Sequence, residues 1–140
     1  MIMPLIGGSL GAVNLITSQT VINTTPITSA WIDLSLYEGN ALIIFNSGAA
    51  SAGDTLTITL QESVLPSGSG TAVPAVALFN PATGENASFA IVTDAGASFQ
   101  TLSLNLEHLA RYVRVTATAS GTSISIPFSV ALVAPQKYVG

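Results

Sequence analysis

The one histidine, His108, directly follows Glu107, and this pair is the first place to look for acid–base chemistry. A histidine base needs a nucleophile and an orienting partner within hydrogen-bond reach. Adjacent side chains in a strand or turn point apart, so Glu107 is badly placed to orient His108. A loop histidine satisfied by backbone or water is the expected state. Seven carboxyl side chains are present: Asp33, Glu38, Asp54, Glu62, Glu85, Asp94 and Glu107. A glycosidase-like pair would stand about 5–9 Å apart, with one member shifted by burial. Glu38, Asp54, Glu85 and Asp94 fall at or beside expected turns, and Asp33 lies close to one, so no pair is singled out. Calcium would want several oxygen ligands in one loop. Residues 80–86 offer Asn80, Thr83, Glu85 and Asn86, without the dense acidic spacing of such a loop. No serine elbow, phosphate loop or dinucleotide fingerprint occurs, and Ser67-Gly68-Ser69-Gly70 has the wrong flanks for all three. Cysteine is absent, which removes disulfides, thiolate metal sites and thiol nucleophiles and fits assembly in a reducing cytoplasm. The expectation is a non-enzyme without cofactor or metal.

Arg111 and Arg114 are more informative. Together with Lys137 they are the only cations in the 140 residues. A regular strand with an offset of three would place them on opposite faces. Either one meets an acidic partner surface, where arginine's planar fork makes several bonds at once, or they pair locally with Glu107 or Glu62. Charged residues make up 7% of the chain, against about 25% in an ordinary globular protein. Three cations cannot neutralise a run of phosphates, so nucleic acid is excluded as an expected partner. The net charge of −4 reflects missing Lys and Arg, not an acidic tail.

These residues must be positioned by strands, because a period of two dominates the chain. In residues 54–62, Leu56, Ile58 and Leu60 alternate with Thr55, Thr57, Thr59 and Gln61. In residues 121–134, Ile124, Ile126, Phe128, Val130 and Leu132 alternate with Ser123, Ser125, Pro127, Ser129 and Ala131. Pro127 on the outer register implies an edge strand or a bulge. Residues 111–119 are the expected hairpin partner of that strand, turning at Ser120-Gly121. Further strands are expected at 31–34, 41–46, 73–79, 87–93 and 99–104, with one helical turn at 106–110. About eight short strands at this spacing indicate an antiparallel sandwich or barrel, and a compact β-sandwich is the reading adopted.

Two long uncharged stretches, 1–32 and 115–136, are not membrane spans. The first is broken by Pro4, Gly7, Gly8 and Gly11, and the second alternates Ser and Thr with aliphatics and carries Gly121 and Pro127. No positively charged start marks a signal peptide, so a soluble chain without a membrane partner is expected. Residues 1–25 lack clean alternation and are expected as an extended arm ahead of a sandwich domain at 26–140. The arm's Ile2, Leu5, Ile6, Leu10, Val13, Leu15 and Ile16 must pack on something, whether their own sheet or a neighbour. With Trp31, Arg111, Arg114 and Tyr138 they form the candidate interface.

The run from Gly96 to Val115 contains Phe99-Gln100-Thr101-Leu102-Ser103-Leu104 and Leu109-Ala110-Arg111-Tyr112-Val113-Arg114. It is followed by Ala117-Thr118-Ala119-Ser120-Gly121-Thr122 and Phe128-Ser129-Val130-Ala131-Leu132-Val133. With Trp31-Ile32-Asp33-Leu34, Tyr37, Gly39-Asn40-Ala41-Leu42 and residues 57–62, these resemble the capsid cement (decoration) proteins of tailed bacteriophages, over roughly residues 30–138. The resemblance implies a jelly-roll sandwich that decorates the outer capsid surface in the virion, after assembly in the bacterial host cytoplasm. The implied partners are the major capsid protein and further copies of itself, as a homodimer or a trimer. It supplies no catalytic residues. The alternative is a carbohydrate- or receptor-binding sandwich of a phage tail or fibre, which needs an aromatic platform such as Trp31.

Overall fold

The computed structural model describes residues 10–94 and 96–137. Alternation of threonine with aliphatics makes Thr55–Ser63 a strand with Leu56, Ile58 and Leu60 buried on one face. The same logic shapes the other long strands. In chain order the strands are β1 (Leu10–Val21), β2 (Ile27–Thr28), β3 (Ile32–Asp33), β4 (Asn40–Ser47) and β5 (Thr55–Ser63). They continue with β6 (Thr71–Ala72), β7 (Leu78–Phe79), β8 (Ser98–Asn105), β9 (Tyr112–Ser120) and β10 (Ile126–Pro135).

Two antiparallel sheets result. The first runs β1-β10-β4-β8-β7 and the second β2-β9-β5-β6, with β3 also pairing β9. The chain passes repeatedly from one sheet to the other, so most neighbours within a sheet are distant in sequence, β5-β6 and β7-β8 being the exceptions. This is the jelly-roll sandwich expected. Between the sheets lie Ile43, Phe45, Leu56, Leu104, Ile126 and Leu132, all fully buried. Phe89, from the link between β7 and β8, meets Phe45 edge-on with ring centroids 5.6 Å apart. That link also bridges the sheets along one side. Gln100 on β8 grips the N–H and C=O of Ala90, while Val92 pairs with Leu56 on β5.

Several expectations are corrected. β9 and β10 are not a hairpin: β9 pairs β5 and β10 pairs β1 and β4. Alternation specifies which face a residue takes but not which strand lies alongside. The link between them crosses from one sheet to the other, held by Asp54 Oδ1, which accepts the Thr122 N–H at 3.2 Å. β10 is interior, and its Pro127 is tolerated because it lies beyond the first β4 pair, Phe128–Ser47, and close to a bulge in β1. Residues 73–79 do not form one strand. Pro74 starts a 3₁₀ turn, Ala75–Ala77, before the short β7. Residues 87–93 make an isolated bridge instead of a ladder, and only Ile32–Asp33 of 31–34 is strand. The turn expected at 106–110 is a 3₁₀ turn at Leu106–His108.

Of the described part of the expected arm, residues 10–25, Leu10–Val21 is strand β1. Its register against β10 slips after Asn14 and again after Ile16. Each bulge inserts extra chain, and this lets the consecutive Leu15 and Ile16 both turn inward. Those bulges erase the alternation that would otherwise announce a strand.

Candidate functional site

Ionisable side chains are distributed unevenly, and the strand order explains where they go. No acidic or basic residue lies on β1, β4, β7, β8 or β10, so the strands of the first sheet carry no charge at all. The second sheet and its turns hold Asp33, Glu62, Arg111 and Arg114. Its outer face is otherwise a threonine surface, where Thr28 and Thr116 hydroxyls meet across strands at 3.3 Å.

Arg111 lies one residue ahead of β9, so strand alternation does not govern it. Its Nε and Nη2 donate to the two carboxyl oxygens of Asp33 at 3.1 and 2.9 Å. These bonds, helped by the Ser35 N–H, hold the Asp33 carboxyl well below the usual carboxylate range and push Arg111 further up. Asp33, and neither Glu107 nor Glu62, is the partner. Glu62 instead accepts the Ala110 N–H at 3.0 Å. Arg114 donates from Nε to Gln61 at 2.8 Å and lays its guanidinium over the Trp31 ring, 4.3 Å from the centroid. Gly70 permits this stack, because a Cβ there would lie 2.5 Å from the Trp31 ring.

At the end of the sandwich where β10 finishes, an open groove of about 480 Å³ is lined by Leu34, Tyr37, Leu109, Glu38, Arg111 and Lys137 among others. His108 and Glu107 are exposed in the 3₁₀ turn, capped by Asn105, which accepts the Glu107 N–H. Asp54 and Asp94 sit at the opposite end, beyond the β5 start and ahead of β8. Among the described residues no three His, Asp or Glu side chains gather into a metal-binding group.

Of the candidate interface, Ile2, Leu5, Ile6 and Tyr138 lie outside the described residues. Leu10 is exposed, and Val13 packs partly against the core. Leu15 and Ile16 are core residues and not surface, because the bulges turn both inward. Trp31 and Arg114 stack on the second sheet, while Arg111 pairs separately with Asp33 beside it. Sequence reasoning missed the outer face of the first sheet. There Leu42 and Ile44 of β4 stand beside Ala131 and Val133 of β10, flanked by Ala12 and the exposed Phe99. The signal was available: five strand segments without a single acidic or basic residue.

No family model and no curated protein matches the sequence. Solved structures do share the architecture. The infectious bursal disease virus VP2 subviral particle aligns with 91% of this chain at 12% identity and a TM-score of 0.51; the match spans 32% of the VP2 chain. The SPBc2 prophage-derived protein YomS aligns over 96% of this chain and 99% of its own at 12% identity, TM-score 0.47. The CBM22-1 xylan-binding domain of Paenibacillus barcinonensis Xyn10C aligns over 92% and 88% at 10% identity, TM-score 0.43. At 12% identity the likeness to the VP2 particle is one of fold alone. Among the described residues no helix is long and apolar enough to cross a membrane.

Proposed function

We propose that the chain is a non-enzymatic structural virion protein that binds the outer surface of a phage capsid and ties major capsid protein subunits together. The observation that carries this reading is β1. It is twelve residues long, wholly uncharged, and among the described residues paired on one side only, by β10. Such an edge ordinarily needs charge, proline or bulges to prevent association. Here the two bulges blunt residues 14–19 and leave 10–14 in regular register. A capsid subunit can add a strand to that stretch through main-chain hydrogen bonds, and the apolar Ile2, Leu5 and Ile6 that precede it in sequence are candidates for further contact. Many weak contacts on one shell then act together.

The test is co-sedimentation of the purified chain with empty heads of the phage that encodes it, read by electron microscopy for copy number and position. Ordered copies on the heads are expected, surviving high salt because few ion pairs are available. A chain lacking residues 1–9 should bind more weakly while staying folded. Absence of ordered copies, or their removal by high salt alone, would overturn the proposal. A carbohydrate-binding role draws less support, since Arg114 occupies a face of Trp31 on which a sugar ring would stack. Saturable glycan-array binding that Trp31→Ala abolishes would put that role in its place.

A further inference from the structure

We infer that residues 10–14 of β1 bind an extended segment of another protein, one with apolar side chains at alternate positions. The inference deepens the capsid reading and rests on it for the source of that segment. Main-chain direction follows from β10. The Pro135 and Pro127 carbonyls accept from the N–H groups of Glu38 and Gly48, on the β4 side. Main-chain groups alternate along a strand, so Ala134 and Leu132 turn theirs toward β1. Their partners there are Gly11 and Val13. The N–H and C=O groups of Leu10, Ala12 and Asn14 therefore point away from β10, along the free edge. Beyond Asn14 the bulge puts Leu15 and Ile16 on one side and breaks this phase, so the bonding stretch ends there.

The segment's side chains follow from how the sandwich closes. On the β8 side the link through Ala90 and Val92 ties the two sheets together. On the other side β1 comes against β9, which carries β2 and β3 on its outer edge. Here the chain crosses between sheets at residues 22–26 and again at 34–39. Between those crossings Val13, Ile27 and Ile32 pack on the core yet are only partly covered. An added strand turns every second side chain inward, beside Gly11 and Val13 and over this seam. Those positions must be apolar, because an ionic group there would be buried without a partner. The positions between them join the outer face with the exposed Ala12 and Asn14 and take polar residues. A second copy does not supply such a segment. Its own residues 10–14 would bring only Gly11 and Val13 to the seam, and its other described edge strands, β2, β3, β6 and β7, are two residues each.

The probe is the end-capped peptide Lys-Thr-Val-Thr-Val-Thr-Lys, titrated into the isotope-labelled full chain and followed by backbone amide NMR. Saturable shifts are expected at residues 10–14, Ile27 and Ile32, and none with a peptide whose valines are adjacent. Ala12→Pro removes an outward N–H, leaves the bonds to β10 in place and should weaken binding by on the order of tenfold. Ala12→Ser keeps that N–H and should bind as wild type does. If Ala12→Pro fails to fold, the peptide itself carries the test. N-methylation of one alternating set of its amides should abolish binding, and of the other set should leave it intact. Shifts elsewhere, no shifts, or equal binding of the two methylated peptides overturns the inference. So does binding that appears only once residues 1–9 are removed, or shifts at 10–14 on diluting the chain alone, because the occupant is then the chain itself. No heads are present, so failure of the head assay alongside these shifts refutes the capsid reading alone.

Discussion

Gly121→Ala tests how the two sheets are joined. Gly121 has φ +140°, a region that residues with a side chain rarely adopt, at a cost of about 1–3 kcal/mol. A Cβ there would lie 1.9 Å from Asp54 Oδ1 and 3.0 Å from the Asp54 backbone. The carboxyl group can rotate away only by giving up the Thr122 N–H. Asp54 is 3% exposed, so bulk solvent does not make good the lost bond. An unsatisfied buried group costs about 1–3 kcal/mol more, and no side-chain rotation relieves the close approach to the Asp54 backbone. The total is roughly 2–6 kcal/mol, a large share of the about 5–15 kcal/mol that holds a domain of this size. Urea unfolding followed by the fluorescence of Trp31, the single tryptophan, would measure it. A double-mutant cycle with Asp54→Ala should recover about 2 kcal/mol of the loss, since the clash with the carboxyl group is then gone. A loss below about 1 kcal/mol, or strict additivity of the two substitutions, would refute the steric reasoning.

Phe45→Ala should cost about 3–5 kcal/mol in the same assay, because Phe45 is fully buried and Phe89 loses its edge-on partner. Arg111→Gln should lower the unfolding midpoint only slightly, since the Arg111 and Asp33 side chains are 56% and 31% exposed. That difference has a defined pH dependence: Asp33's folded pKa is depressed, so the pair stabilises the fold above the ordinary value of 3.8 and loses this as pH falls below it. Wild type and variant should therefore converge in acid, as thermal melts at neutral and low pH will show. Deleting residues 1–20 should unfold the chain, as read by far-ultraviolet dichroism, because it removes Leu15 and Ile16 from the core and strips β10 of one neighbour.

Strand identity was legible wherever one face met the core and the other met solvent. Leu56, Ile58 and Leu60 alternate with threonines, and each is buried. The threonines mark the solvent face of the second sheet just as plainly. Alternation disappeared in β1, where two bulges put Leu15 and Ile16 on the same side, and at Pro74, whose fixed backbone starts a turn inside an apolar run. The candidate site was legible as residues but not as partners. Arg111 and Arg114 stood out by scarcity, yet Asp33 lies 78 positions from Arg111 and Gln61 lies 53 from Arg114.

By itself the chain's chemistry determined an all-β sandwich with very little charge, because side-chain period and the cost of burying ionic groups are local properties of each segment. Which strand lies beside which was decided only by the tertiary structure. Hydrogen-bond ladders are interchangeable along their length, and partner choice depends on how both sheets close over one core. That choice sent β9 and β10 to opposite sheets. It also gathered β1, β4, β8 and β10, the long strands free of acidic and basic side chains, into one sheet, turning a scattered shortage of charge into a single uncharged face.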